Sequence, residues 1–147
     1  MYKLTDQNMM TYNDCQWVVG EWKTARGKKD NDLCSDGWIH AYEHPLLAVL
    51  FNCIHADIEN PRLWEAQTGK TIKRNGQVKC GARKLRLVRE MPMPVITTEQ
   101  RVRFAIYCTQ AVYKDHKWTQ WANDWLSGKN RTTGAAAAAA AAAAEAE

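Results

Sequence analysis

Apolar and polar positions alternate with a period of two over several short stretches, which is the pattern of half-buried strands. Tyr2-Lys3-Leu4 predicts a first strand, ended by the polar run Thr5 to Asn8. Cys15 to Lys23 is rich in strand formers, with Trp17 and Val19 alternating, and a charged loop follows from Ala25 to Asp32. Trp38 to Tyr42 predicts the next strand, entered through the turn-forming Ser35-Asp36-Gly37. Asn60-Pro61 precedes another, which starts at Leu63 to Ala66. Arg83 to Glu90 sets Leu85 and Leu87 on one face and Lys84, Arg86 and Val88 on the other. Met91-Pro92-Met93-Pro94 cannot continue a ladder, because proline has no N–H to donate, and so marks a connection.

Elsewhere the period changes to that of a helix. Pro45 suits a first helical position, and Leu46, Leu47, Val49 and Leu50 give the segment an apolar face. Thr97 and Gln100 fit a capping box, opening a helix whose stripe runs through Phe104, Tyr107 and Ala111. Trp118, Trp121 and Trp125 continue at helical spacing and are expected to bury that face against the sheet. Lys114 to Lys117 interrupts the pattern, so the region predicts one long helix or two with a break there; Ser127-Gly128 stops it.

Asn75-Gly76 is the strongest hairpin signal, since both residues tolerate positive φ in a two-residue turn. Pairing outward sets Arg74 opposite Gln77, Lys73 opposite Val78, and Ile72 opposite Lys79. Each apolar residue then faces a lysine stem, which describes a solvated arm.

These elements predict an α+β fold: a mainly antiparallel twisted sheet, one short central helix and a longer C-terminal helix. A single domain is expected over residues 1–128, a linker over 129–134, and an alanine-rich helical tail over 135–147. Ten consecutive alanines favour a helix and would allow close self-pairing into a homo-oligomer. So uniform a run equally fits a placeholder for other residues, and the functional reading places no weight on it.

At 147 residues, with 46% hydrophobic and 24% charged side chains, the chain has the composition of a folded protein rather than a disordered one. No apolar run reaches the roughly 18 to 20 residues of a membrane helix, and no signal-peptide pattern opens the chain. Five widely spaced cysteines without a C-x-x-C fit reduced thiols in a cytoplasm. The net charge of +4 conceals an asymmetry: residues 1–69 carry six basic and ten acidic side chains, residues 70–103 ten basic and two acidic. Lys70, Lys73, Arg74, Lys79, Arg83, Lys84, Arg86 and Arg89 are therefore the candidate contacts to an acidic macromolecule or nucleic acid.

Other chemistry is thinner. Cys34, His40, His44, Cys53 and His55 offer zinc-type ligand atoms but not a usual ligand spacing, so no metal is expected. No G-x-S-x-G, phosphate loop or dinucleotide fingerprint is present.

The segment Leu33 to Leu50, with Cys34-x-x-Gly37-Trp38-Ile39-His40 and a helix begun at Pro45, resembles a family of small bacteriophage and bacterial proteins without an established activity. Tyr2-Lys3 in the first strand and the alanine-rich C-terminus belong to the same likeness. More distantly, the segment resembles the central motif of ADP-ribosyltransferase folds. That resemblance implies NAD as cofactor, with Lys3, His40, Tyr42 and Glu65 as the site. Lys3 stands where that family carries arginine, and Glu65-Ala66-Gln67 replaces its Glu-x-Glu. The leading expectation is a non-enzymatic accessory protein that binds its partner through the basic block, in a host cytoplasm if phage-encoded. The alternative is an NAD-binding relative of the transferases, and the third reading is assembly through the tail.

Overall fold

The computed structural model describes residues 1–29, 32–76 and 78–132. In chain order the described elements are β1 (Tyr2–Thr5), β2 (Met10–Thr11), β3 (Cys15–Gln16), β4 (Lys23–Thr24), β5 (Ile39–Ala41), α1 (Pro45–Leu50) and α2 (Asn52–His55). They continue with β6 (Arg62–Thr68), β7 (Ile72–Asn75), β8 (Lys79–Ala82), β9 (Lys84–Met91), α3 (Thr98–Val112) and α4 (His116–Leu126). Every strand pairing is antiparallel, and the fold class is α+β. The chain divides into two compact units, residues 1–95 and 96–147, a boundary that falls before the capping box rather than after Gly128.

In the first unit one long hairpin organises the rest. β6 and β7 form one arm, β8 and β9 the other, with the bend held by Gly69 N to Lys84 O at 2.8 Å and Arg83 N to Thr71 O at 3.1 Å. One half makes the sheet β1-β6-β9-β4, the other the sheet β5-β8-β7. A bridge between Tyr2 and Tyr42 links β1 to the end of β5, so the two sheets share a seam. Leu85 and Leu87 are fully buried, as their alternation predicts, and pack with Trp17, Trp64, Ala41, Ala66 and Cys80. Trp64 keeps its indole N–H satisfied by donating to Thr5 Oγ1 at 3.0 Å. α1 covers the other side of β1, where Leu4, Tyr42, Ala48 and Leu63 form a second cluster. His44 caps α1, its Nδ1 accepting from Leu46 N at 3.2 Å, and Pro45 takes the first turn.

The hairpin register differs from the expected one. Asn75 pairs with Lys79, Arg74 with Cys80, Lys73 with Gly81 and Ile72 with Ala82. The loop is thus longer than a two-residue turn, and the three-residue shift exchanges the faces of β8. The reason is core packing: this register turns Cys80 inward with Ile72 packed against the same cluster, whereas the shorter turn would set Lys79 beside Ile72. Segment 15–23 also departs from a continuous strand. Trp17 is buried while Val18 and Val19 lie exposed, and Gly20 at φ +85° turns the chain before β4.

The second unit is a helical pair. The capping box at Thr97 forms in full, with Thr97 Oγ1 accepting from Gln100 N and Gln100 Oε1 from Thr97 N. The helical region breaks after Val112, and Asp115 caps α4. Trp118, Ala122 and Trp125 pack on Ile106 of α3, so a helix is what the tryptophan stripe covers within this unit. The buried position of α3 is accordingly Ile106, and Tyr107, expected on the inner stripe, is exposed. Residues 129–132, expected as linker, are fastened in part by Arg131, which donates to Trp125 O at 3.0 Å and lies over the Trp125 ring. The alanine tail and any assembly through it lie outside the described residues. Among the described residues no helix is long and apolar enough to cross a membrane.

Candidate nucleic-acid interface

The eight basic residues singled out by charge density fall into three environments. Arg74 and Arg89 are ion-paired, with Glu43 at 2.8 Å and Glu65 at 2.5 Å. Lys79 is buried and donates to Cys34 Sγ at 3.1 Å. Arg83 turns inward, donating to the carbonyls of Gly27, Gly37 and Ala25 and fastening the 25–38 loop to the strand. Lys73 is half-buried over the Trp38 ring. Lys70, Lys84 and Arg86 are left facing outward without an ion pair among the described residues.

Register then supplies what the sequence had placed in its acidic half. β4 runs along β9 with Lys23 opposite Leu85 and Thr24 opposite Lys84, and Ala25 N extends the ladder to Arg83 O at 2.9 Å. Residues directly opposite share a face, and faces alternate along a strand. Trp22 and Thr24 therefore lie on the outward side with Lys84 and Arg86, and Arg26 follows, exposed, in the bend beyond. On the other flank β6 sets Gln67 opposite Arg86, and Gln67 Oε1 accepts from Arg86 Nε and Nη2 at 2.9 and 2.6 Å. The Arg86 guanidinium is 4.9 Å from the centre of the Trp22 ring, and Trp22 stays 43% exposed. Gly69 leaves room for the Lys84 stem, since a Cβ there would sit 3.2 Å from Lys84 Cβ, and Lys70 follows at once. Lys28 and Lys29 are exposed farther along the same loop. Among the described residues acids also border the face: Glu21 is exposed beside Trp22, the Asp36 carboxylate lies against Gly27, and Glu65, two residues before Gln67 on β6, is paired with Arg89. The β6–β9 bulge between Glu65 and Ala66 coincides with the exposed Val88, which continues the face with apolar surface.

The residues of the NAD-binding alternative fall in two pairs, Lys3 with His40 and, across Tyr2, Tyr42 with Glu65. Lys3 reaches the His40 carbonyl at 3.0 Å and lies over the Trp17 ring, so its ammonium serves the backbone of β5. The His40 ring instead bonds the Leu33 carbonyl, and burial pushes it below its ordinary pKa, a direction reinforced by the Lys79 and Lys3 charges. Tyr42 donates to, or accepts from, His55 Nδ1 at 2.8 Å, and burial raises its phenol to about 12. Glu65 shares the row of Tyr2 and Tyr42 but is held by Arg89. An open cleft of about 510 Å³ lies elsewhere, lined by Asp6, Asp14 and Glu59 among others, and its charge is unsuited to an anionic ligand. The histidines and cysteines considered for zinc are dispersed, and among the described residues no group of three or more His, Cys, Asp or Glu is placed to hold a metal ion.

The first unit coincides closely with a known family. A domain of unknown function (DUF7666) matches residues 1–99, and the chain belongs to that family. No curated protein and no solved structure matches the chain.

Proposed function

We propose that this DUF7666 domain is a non-enzymatic binding module that holds single-stranded nucleic acid on the outward face of β4, β9 and β6. The observation that carries the reading is the register of β4 on β9, which brings Trp22 against Arg86 and beside Lys84. Single strands are bound without sequence preference by aromatic rings on which bases stack and by a basic track for the phosphates. Trp22, steadied by Arg86, offers the ring. Lys84 and Arg86, with Arg26 and Lys70 exposed nearby in the chain, offer the track, and their charges are not cancelled by ion pairs among the described residues.

The test is a fluorescence titration with a labelled single-stranded oligonucleotide and its duplex at low salt. The single strand is expected to bind more tightly and to quench tryptophan emission. Trp22→Ala is expected to cost about 1–3 kcal/mol, the range of one base–aromatic stack. Equal binding of the duplex, or an unchanged affinity for Trp22→Ala, would remove the stacking role. An acidic protein captured where no oligonucleotide binds would move the reading to a protein partner.

A further inference from the structure

Cys34 and Lys79 form a pair apart from the basic face. Lys79 opens β8 and is 8% exposed, yet its Nζ reaches Cys34 Sγ at 3.1 Å. Among the described residues no carboxylate pairs with this ammonium, and sulfur is the acceptor that the structure gives it. A buried ammonium needs an acceptor; a thiol sulfur is a weak one, and a thiolate would be a far stronger one. Cys34 itself is exposed to solvent.

The loop on either side of Cys34 is anchored. Leu33 is buried against Gly81, where no side chain intervenes, and its carbonyl is held by the His40 ring. Ser35 Oγ donates to Asp32 O at 2.6 Å and accepts from Gly37 N at 3.2 Å. The sulfur is thus presented to solvent from a fixed position, with the cation behind it.

We propose that Cys34 is a peroxide-reactive thiol, a modification site at which Lys79 is the positioned cation and proton donor. In the step, the Cys34 thiolate attacks one oxygen of a hydroperoxide. The S–O bond forms as the O–O bond breaks, and the departing oxygen takes a proton from Lys79 Nζ. Sulfur is oxidised by two electrons to a sulfenic acid, and the peroxide is reduced to water or an alcohol. The thiol's own proton leaves to solvent when the thiolate forms, and solvent afterwards returns one proton to the Lys79 amine. Thiolate attack is favoured beside a fixed cation, and access selects which thiols react.

Two further exposed thiols serve as internal controls. Cys53 Sγ donates to the Leu50 carbonyl at 3.6 Å, and among the described residues no hydrogen bond joins Cys53 or Cys108 to a cation. The buried Cys80, 1% exposed, reports whether a variant is folded. The reduced full chain is treated with less than one equivalent of hydrogen peroxide, trapped with dimedone and mapped by mass spectrometry. Labelling of Cys34 is expected to exceed that of Cys53 and Cys108 severalfold, to fall to their level in Lys79→Met, and to persist in Lys79→Arg. Equal labelling of the three exposed thiols in the unaltered chain would overturn the proposal. So would Lys79→Met labelling Cys34 as before while Cys80 stays protected. Where Lys79→Met exposes Cys80, the ratio in the unaltered chain decides alone.

Discussion

Lys3 lies on the Trp17 side of β1, and its ammonium is tied to the His40 carbonyl rather than to a carboxylate. Burial lowers its pKa from 10.5 to about 8, with Cys15 opposing the shift. His40, lowered chiefly by burial, lies in the same neighbourhood. In each case the unfolded chain binds a proton that the folded chain gives up, so stability rises with pH across the interval between the two values. For Lys3 that interval runs from about 8 to 10.5, and for His40 it lies just below 6.5. Stability is therefore expected to climb between pH 8 and 10.5, and the difference between the unaltered chain and Lys3→Met should carry that climb. Urea unfolding at a series of pH values measures it; a difference flat across the interval would show that Lys3 is solvated. None of this was legible in the sequence, where Lys3 reads as the polar member of an alternating strand. Lys79 and Arg83 read as surface charge for the same reason: their neighbours supplied charge density, while their partners, Cys34 and the carbonyls of Gly27 and Gly37, are remote along the chain.

Elements whose signals are local were read correctly. The helix begun at Pro45, the capping box at Thr97 and the alternation of Leu85 and Leu87 depend on residues within one turn or one pleat. Elements set by distant partners were not. The hairpin register follows the core's requirement for Cys80 and Ala82, and the inner face of α3 follows Trp118 and Trp125 of α4. Gly81 shows how close such packing is. A Cβ added there would approach Trp38 Cβ to 2.7 Å and meet the Leu33 side chain closer still. Gly81→Ala is therefore expected to push the 33–38 loop off β8 at about 1–3 kcal/mol, the usual cost of overpacking. A lowered denaturant midpoint at unchanged slope is the expected outcome, and an unchanged midpoint would show that the loop does not rest on β8.

Over the whole molecule, charge counted along the chain and charge arranged in space give different maps. The block from 70 to 103 holds the excess, yet ion pairs and inward turns remove Arg74, Arg89, Lys79 and Arg83 from the outer surface chemistry. The strand pairing returns Trp22, which lies in the half with an excess of acids, with Arg26 exposed in the bend that follows. The family match covers residues 1–99, so the face belongs to the DUF7666 domain and not to the helical pair that follows. The central claim is that Lys84 and Arg86, and not the hairpin tip, meet a phosphate backbone. Its most direct measurement is the slope of log affinity against log salt for a single-stranded oligonucleotide. Each lost phosphate contact should reduce that slope by roughly 0.7. The double change Lys84→Glu and Arg86→Glu is expected to lower the slope by roughly 1 to 2 on that scale, while Arg74→Ala leaves it unchanged. A slope that falls with Arg74→Ala and survives the double change would place the contact on the hairpin tip and contradict the account.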